Sequence, residues 1–169
     1  MTTLSAENVF KKGLACLVDD RPKEASEFFR TALELERQRS KSRLDMRYLS
    51  YYGLSLAKAG LSTQIALQAC RSAASKQCSD PVLLLNLGRV YELSGRMELA
   101  LETFEKGLEI NPEHKILRRE LAMIDRRRPP VIRFLDRSHP LNIWLGRMRA
   151  SRRKSAPRVG GAEVSSTPH

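Results

Sequence analysis

The sequence predicts an all-α fold, a helical solenoid of three helix pairs closed by a capping helix and followed by a basic C-terminal tail. Three observations predict it. Gly13, Gly53 and Gly88 each sit inside an apolar helical pattern, and each is followed at nearly constant distance by a small residue (Ala25, Ala66, Ala100) and then by Phe29, Cys70 or Phe104. Within each copy the apolar residues recur at helical spacing: Leu84, Leu87 and Tyr91 on one stretch, then Leu99, Ala100, Phe104 and Leu108 on the next. Turn residues separate the stretches, with Asp19-Asp20-Arg21-Pro22, Ala59-Gly60 and Gly95 inside the copies and Asn111-Pro112 ending the third. Copies too short to bury their own apolar faces must stack on their neighbours.

The first pair runs from Ala6 through Val9, Phe10, Gly13 and Cys16, turns, and returns through Ala25, Phe29 and Ala32. Compared with the third copy, Lys12 replaces an apolar residue, Cys16 replaces the tyrosine, and no proline closes the copy near Arg37. The second pair carries Leu49, Tyr52, Gly53 and Leu56, then Ala66, Cys70 and Ala73. Ala66 falls one residue late, so this turn must be one residue longer, and Cys70 stands where the other copies have phenylalanine. The surplus between the first two copies falls in the charged run from Glu36 to Arg43, which reads as a lengthened second helix or an exposed loop. A glycine inside a helix costs about 1 kcal/mol against alanine, so Gly88 needs a packing reason, for which close approach of the partner helix at Ala100 is the expectation. Beyond Pro112, Ile116, Leu117, Leu121 and Ile124 recur at helical spacing among Lys115, Arg118, Arg119, Arg126 and Arg127, the amphipathic pattern of a terminal cap.

The series Leu84-x2-Leu87-Gly88-x2-Tyr91, Ala100-x3-Phe104, Pro112 has the spacing of a tetratricopeptide unit. The chain resembles tetratricopeptide-repeat (TPR) proteins over residues 6–127, with repeats at about 6–38, 46–80 and 81–114 and a capping helix at 113–127. The resemblance implies a non-catalytic protein–protein interaction module, a scaffold or adaptor. In that family the first helix of each pair lines a concave groove, and its second, fifth, ninth and twelfth positions face the ligand. Here these are Glu7, Phe10, Leu14 and Leu17; Arg47, Ser50, Leu54 and Ala57; Val82, Leu85, Arg89 and Glu92. Phe10, Leu14, Leu17, Leu54, Val82 and Leu85, with Arg47 and Arg89 on the rim, are the candidate contacts for an amphipathic helix or an extended apolar peptide. The lysine-based carboxylate clamp of the chaperone-binding members is absent, because Phe10-x3-Leu14 and Val82-x3-Asn86 occupy its places.

Catalytic constellations are lacking in the pattern. His114, His139 and His169 stand singly, which suits solvated or capping groups better than ligands, and no glycine-rich phosphate loop or serine elbow is present. The reading is therefore no enzyme, no cofactor and no metal. Cys16, Cys70 and Cys78 are odd in number and form no C-x-x-C pair, which argues against a disulfide framework or a zinc site. Neither a secretory leader nor an apolar run long enough to span a bilayer is visible, so the expected location is cytoplasmic.

The net charge of +11 is concentrated at one end: residues 113–169 hold fourteen Lys and Arg against five acids. Basicity is thus a property of the tail, not of the repeats. After Arg128-Pro129-Pro130 breaks the helix, residues 128–154 form a basic, partly apolar tail with a possible helix at 141–154, and 155–169 are expected to be disordered. Trp144, Arg147, Arg152, Arg153 and Lys154 are its candidate contact residues. The tail could be solvated charge, could fold back onto the apolar groove, or could make the chain a membrane-surface or nucleic-acid-associated protein, an anionic membrane fitting better than nucleic acid.

Overall fold

Seven helices in strict succession form the fold of this computed structural model, which describes residues 5–39 and 44–127, with side chains described through residue 124. They are α1 (Ala6–Val18), α2 (Pro22–Arg39), α3 (Met46–Lys58), α4 (Thr63–Lys76), α5 (Pro81–Leu93), α6 (Met97–Ile110) and α7 (Lys115–Arg127). The chain divides into two units, residues 1–125 and 126–169, and the helical array belongs to the first. No strand occurs among the described residues.

Five of these seven helices start where a side chain satisfies an orphan N–H, and α6 starts at Arg96 without one. Ser5, Asp45, Ser62 and Asp80 accept from the backbone N–H groups of Asn8, Arg47, Ile65 and Val82 at 2.9–3.3 Å. At α7 the cap is His114, whose Nδ1 accepts from the N–H of Leu117 at 3.2 Å. Pro22 and Pro81 open α2 and α5, where a missing N–H is harmless. The longer second turn is present: residues 59–62 separate α3 from α4, whereas three residues join α1 to α2 and α5 to α6. The charged surplus after the first copy extends α2 to 18 residues, against 14 in α4 and in α6.

Each of these turns passes through one left-handed residue, and the three occur in the same register: Asp20 (φ 55°), Gly60 (φ 66°) and Gly95 (φ 72°). Two copies use glycine, for which this conformation carries no Cβ penalty, and the first uses an exposed aspartate. Asp20→Gly should therefore raise stability by about 1 kcal/mol. Chemical denaturation of the two proteins checks this, and an unchanged midpoint would mean that the contact of Asp20 with Lys58, 3.8 Å away, offsets the strain.

Pairing within each copy rests on a glycine meeting a side chain of the partner helix. A Cβ on Gly13 would lie 2.6 Å from the Phe29 ring, and one on Gly88 only 2.2 Å from the Phe104 ring. The space left by Gly88 is thus taken by the Phe104 ring. Phe29 and Phe104 are both completely buried. In the second copy Cys70 is too short to fill such a gap and the helices close up, so that a Cβ on Gly53 would meet Cys70 Sγ at 2.6 Å and the backbone oxygen of Ala66 at 2.8 Å.

Cys70 is fully buried, donating to the carbonyl of Ser50 at 3.2 Å, and burial pushes its thiol up from 9.0 to about 12. A native acid that holds its proton more tightly than the unfolded chain loses its stabilising effect as pH rises. Stability should accordingly fall between about pH 9 and 12, with Tyr48 and Tyr51, also raised by burial, acting in the same direction. Urea midpoints at pH 8 and 10.5 check this. In Cys70→Ala the pH slope should be shallower by about 1.4 kcal/mol per pH unit, whatever the change in absolute stability.

Between copies, the packing is uneven. The core divides into one cluster spanning the second and third pairs with α7, including Leu83, Leu101, Phe104, Leu117 and Ile124, and another around Phe10, Phe29 and Tyr48. Backbones of α3 and α5 approach closely, whereas α1 and α3 meet mainly through side chains. Second helices α2, α4 and α6 make no comparable contact with one another; each packs on its own first helix, and α2 and α4 also pack on the next. First helices α3 and α5 thus approach one another more closely than any two second helices do.

Candidate peptide-binding groove

The inner face is built by α1, α3, α5 and α7, and the structure distributes the predicted contacts over it unequally. Leu14, Leu17 and Val82 are partly buried and keep accessible surface. Phe10, Leu54 and Leu85, also expected to contact a ligand, are instead only 3, 3 and 4% exposed and belong to the core. The reason is the spacing between first helices. Because α1 and α3 are held apart, the Phe10 ring fills the gap, with its centroid 4.7 Å from Tyr48 and 5.4 Å from both Tyr51 and Phe29. Leu54 and Leu85 are buried in the larger cluster, where α3 and α5 approach closely.

Arg47 and Arg89, expected on the rim, are half-buried, and each is already engaged. Arg47 donates to Asp45 Oδ2 at 2.7 Å, lies 3.6 Å from Glu7, and stacks over Phe10 at 5.6 Å. Glu7 in turn accepts from the Tyr48 hydroxyl at 3.0 Å, which ties α1 to α3. Arg89 donates through Nε and Nη2 to Glu120 Oε1 at 3.0 and 2.6 Å, which ties α5 to α7. Both arginines thus fix neighbouring helices, and their net charge is largely neutralised locally.

Beneath this surface lies a polar pair that the sequence reading did not single out. Asn86 is fully buried on α5 and donates through Nδ2 to Ser50 Oγ on α3 at 3.1 Å, while its Oδ1 has no partner. Leaving such an atom buried costs on the order of 1–3 kcal/mol, so the pair is a weak point of the α3–α5 contact that the flanking apolar packing has to offset.

The seventh helix contributes more than a polar cap. Leu117 and Ile124 are buried in the larger cluster, and Leu117 fills the space above Gly107 of α6. On the other side Ile116 is 47% and Met123 38% exposed, with Arg119 exposed between them. Lys115 stands 34 residues after Pro81, so Ile116, Arg119 and Met123 occupy on α7 the places of Val82, Leu85 and Arg89 on α5. That register was the signal in the sequence that could have placed them on the inner face. Trp144, Arg147, Arg152, Arg153 and Lys154, and with them any docking of the tail, lie outside the described residues.

Among the described residues no group of three His, Cys, Asp or Glu side chains is placed to hold a metal ion, and no helix is long and apolar enough to cross a membrane. Cys16 and Cys70 are buried and Cys78 is exposed.

Residues 81–114 match the tetratricopeptide repeat family. No curated protein matches the sequence. Among solved structures, YrrB, a TPR protein with an unusual peptide-binding site, is similar with a TM-score of 0.55 and 21% identity over 70% of this chain, which spans 58% of that one. PcrH in complex with the chaperone binding region of PopB gives 0.56 and 18%, covering 73% of this chain and 99% of that one. The Sgt2 TPR domain from Aspergillus fumigatus gives 0.59 and 15%, covering 95% and 90%. At these identities the likeness is one of fold: residues 81–114 match the tetratricopeptide repeat, and the all-helical array around them resembles the helical solenoids of tetratricopeptide-repeat proteins.

Proposed function

We propose that the chain is a non-catalytic scaffold or adaptor that binds a segment of another protein along the inner face of α1, α3, α5 and α7. The observation that carries this reading is a row of apolar side chains, Leu14, Leu17, Val82, Ile116 and Met123, that keep accessible surface on that layer although neighbouring side chains on the same helices are buried. TPR neighbours of this fold bind protein segments: PcrH is seen with a region of PopB, and YrrB is described by its peptide-binding site. An occupant of amphipathic helical or extended apolar type suits the surface, because Arg47 and Arg89 beside it are already paired within the protein.

Affinity purification of the full chain from its native cells, quantified by mass spectrometry, tests the reading when run beside Leu17→Glu/Val82→Glu. Both positions are accessible, so the helical circular dichroism of the variant should be unchanged while the specific partner is lost. Retention of every wild-type partner by a folded variant would overturn the groove as the binding surface.

A further inference from the structure

We infer that the α7 end of this groove selects an acidic partner: an amphipathic helical segment whose apolar residues lie on Ile116 and Met123 and whose carboxylate pairs with Arg119. The inference rests on the groove reading and names the chemistry of its occupant. Ile116, Arg119 and Met123 are separated by three and four residues, which puts them on one stripe of the helix. Two of the three are large apolar side chains left 47 and 38% exposed, although Leu117 and Ile124 beside them are completely buried. The helix therefore buries one apolar face inside the protein and shows a second one to solvent, which a helix serving only as a polar cap does not need.

The charge on that stripe supplies the sign of the partner. Glu120, the acid on the same side of α7, is committed to Arg89 through two hydrogen bonds and its side chain is only 16% exposed. It neutralises Arg89, and among the described residues no acid pairs with Arg119. Arg118 faces another way and is paired at 2.6 Å with Glu113, and Lys115 adds a further exposed positive charge at the start of the helix. An approaching basic or neutral segment would leave Arg119 desolvated and unpaired, whereas an acidic one supplies a charge-assisted partner at the edge of an apolar contact. Helical spacing in the partner is called for because its apolar side chains must meet two residues one helical repeat of seven apart, with a carboxylate between them.

Two fluorescein-labelled synthetic peptides of equal length test this on the full chain: an amphipathic helix with leucine at i, i+3, i+4 and i+7 and glutamate elsewhere, and the same peptide with lysine for glutamate. The glutamate peptide should bind at least about tenfold more tightly by fluorescence anisotropy. Arg119→Glu should weaken it about tenfold, and Ile116→Ser/Met123→Ser should weaken both peptides. Because the chain is strongly basic overall, Lys23→Glu on the exposed side of α2 serves as the charge-matched control and should change affinity by less than about twofold. Equal weakening by Lys23→Glu and Arg119→Glu, no preference between the peptides, or no measurable binding of the glutamate peptide would each overturn the inference. If Leu17→Glu/Val82→Glu abolishes binding while Arg119→Glu does not, the groove stands and only its acidic selectivity falls. If neither affects binding, both readings fall.

Discussion

Phe104→Ala should destabilise the protein by about 3–5 kcal/mol, read from the shift of the urea midpoint. The ring is completely buried, and no neighbour can simply slide into its place, because Gly88 opposite it has no side chain. The vacated volume would remain as a cavity lined by Leu83, Leu87, Leu101 and other members of the same cluster. Since contacts in a stacked array run mainly between neighbours, amide exchange should rise first in α5, α6 and α7 and least in α1 and α2. A second substitution sharpens the result. Gly88→Ala alone should destabilise, since its methyl would stand 2.2 Å from the ring, but added to Phe104→Ala it should recover part of the loss by filling the cavity. Simple additivity of the two would mean that the glycine and the ring are not coupled and that the basis of the helix pairing lies elsewhere.

Leu85→Glu should unfold the third pair, with a loss of more than about 4 kcal/mol, although the family pattern places this residue toward a ligand. Leu85 is 4% exposed within the larger core cluster, so its replacement would bury a carboxylate whose nearest cation along the helix, Arg89, is already committed to Glu120. Leu14→Glu is the informative companion. Leu14 occupies a ligand-facing position of the first copy but is only partly buried, and its glutamate can reach water, so the helical signal and melting temperature should change little. Circular dichroism melts of the two variants separate the outcomes. A folded Leu85→Glu protein would show that the α3–α5 contact can open enough to hydrate this position, and the fully buried Asn86 beside it, with one atom unsatisfied, is where such opening would start.

The positions of the helices, their ends and their pairing were legible in the amino-acid order because they depend on residues close together in the chain. Ser5, Asp45, Ser62 and Asp80 announce four helix starts by chemistry acting over two or three residues. Gly88 and Phe104 are close enough in sequence that one turn brings them together, so their spacing alone identifies a helix pair. The late placement of Ala66 likewise foretold the longer turn at 59–62. Which apolar residues remain available on the inner face was settled only in the tertiary structure. That availability depends on the gap between first helices of successive copies, which is set by side chains more than thirty residues apart. Phe10 is lost to the core because Tyr48 and Tyr51 hold α3 at the distance its ring fills. Arg89 is neutralised because stacking brings Glu120 to it from α7. Ile116, which in sequence belongs to the apolar stripe of a terminal cap, and Met123 stay exposed, while Leu117 and Ile124 on the adjacent stripe are buried and Leu117 makes the contact with α6 at Gly107. An amphipathic pattern fixes that a helix has an apolar side, and the partner against which it packs determines how much of that side is left for another protein.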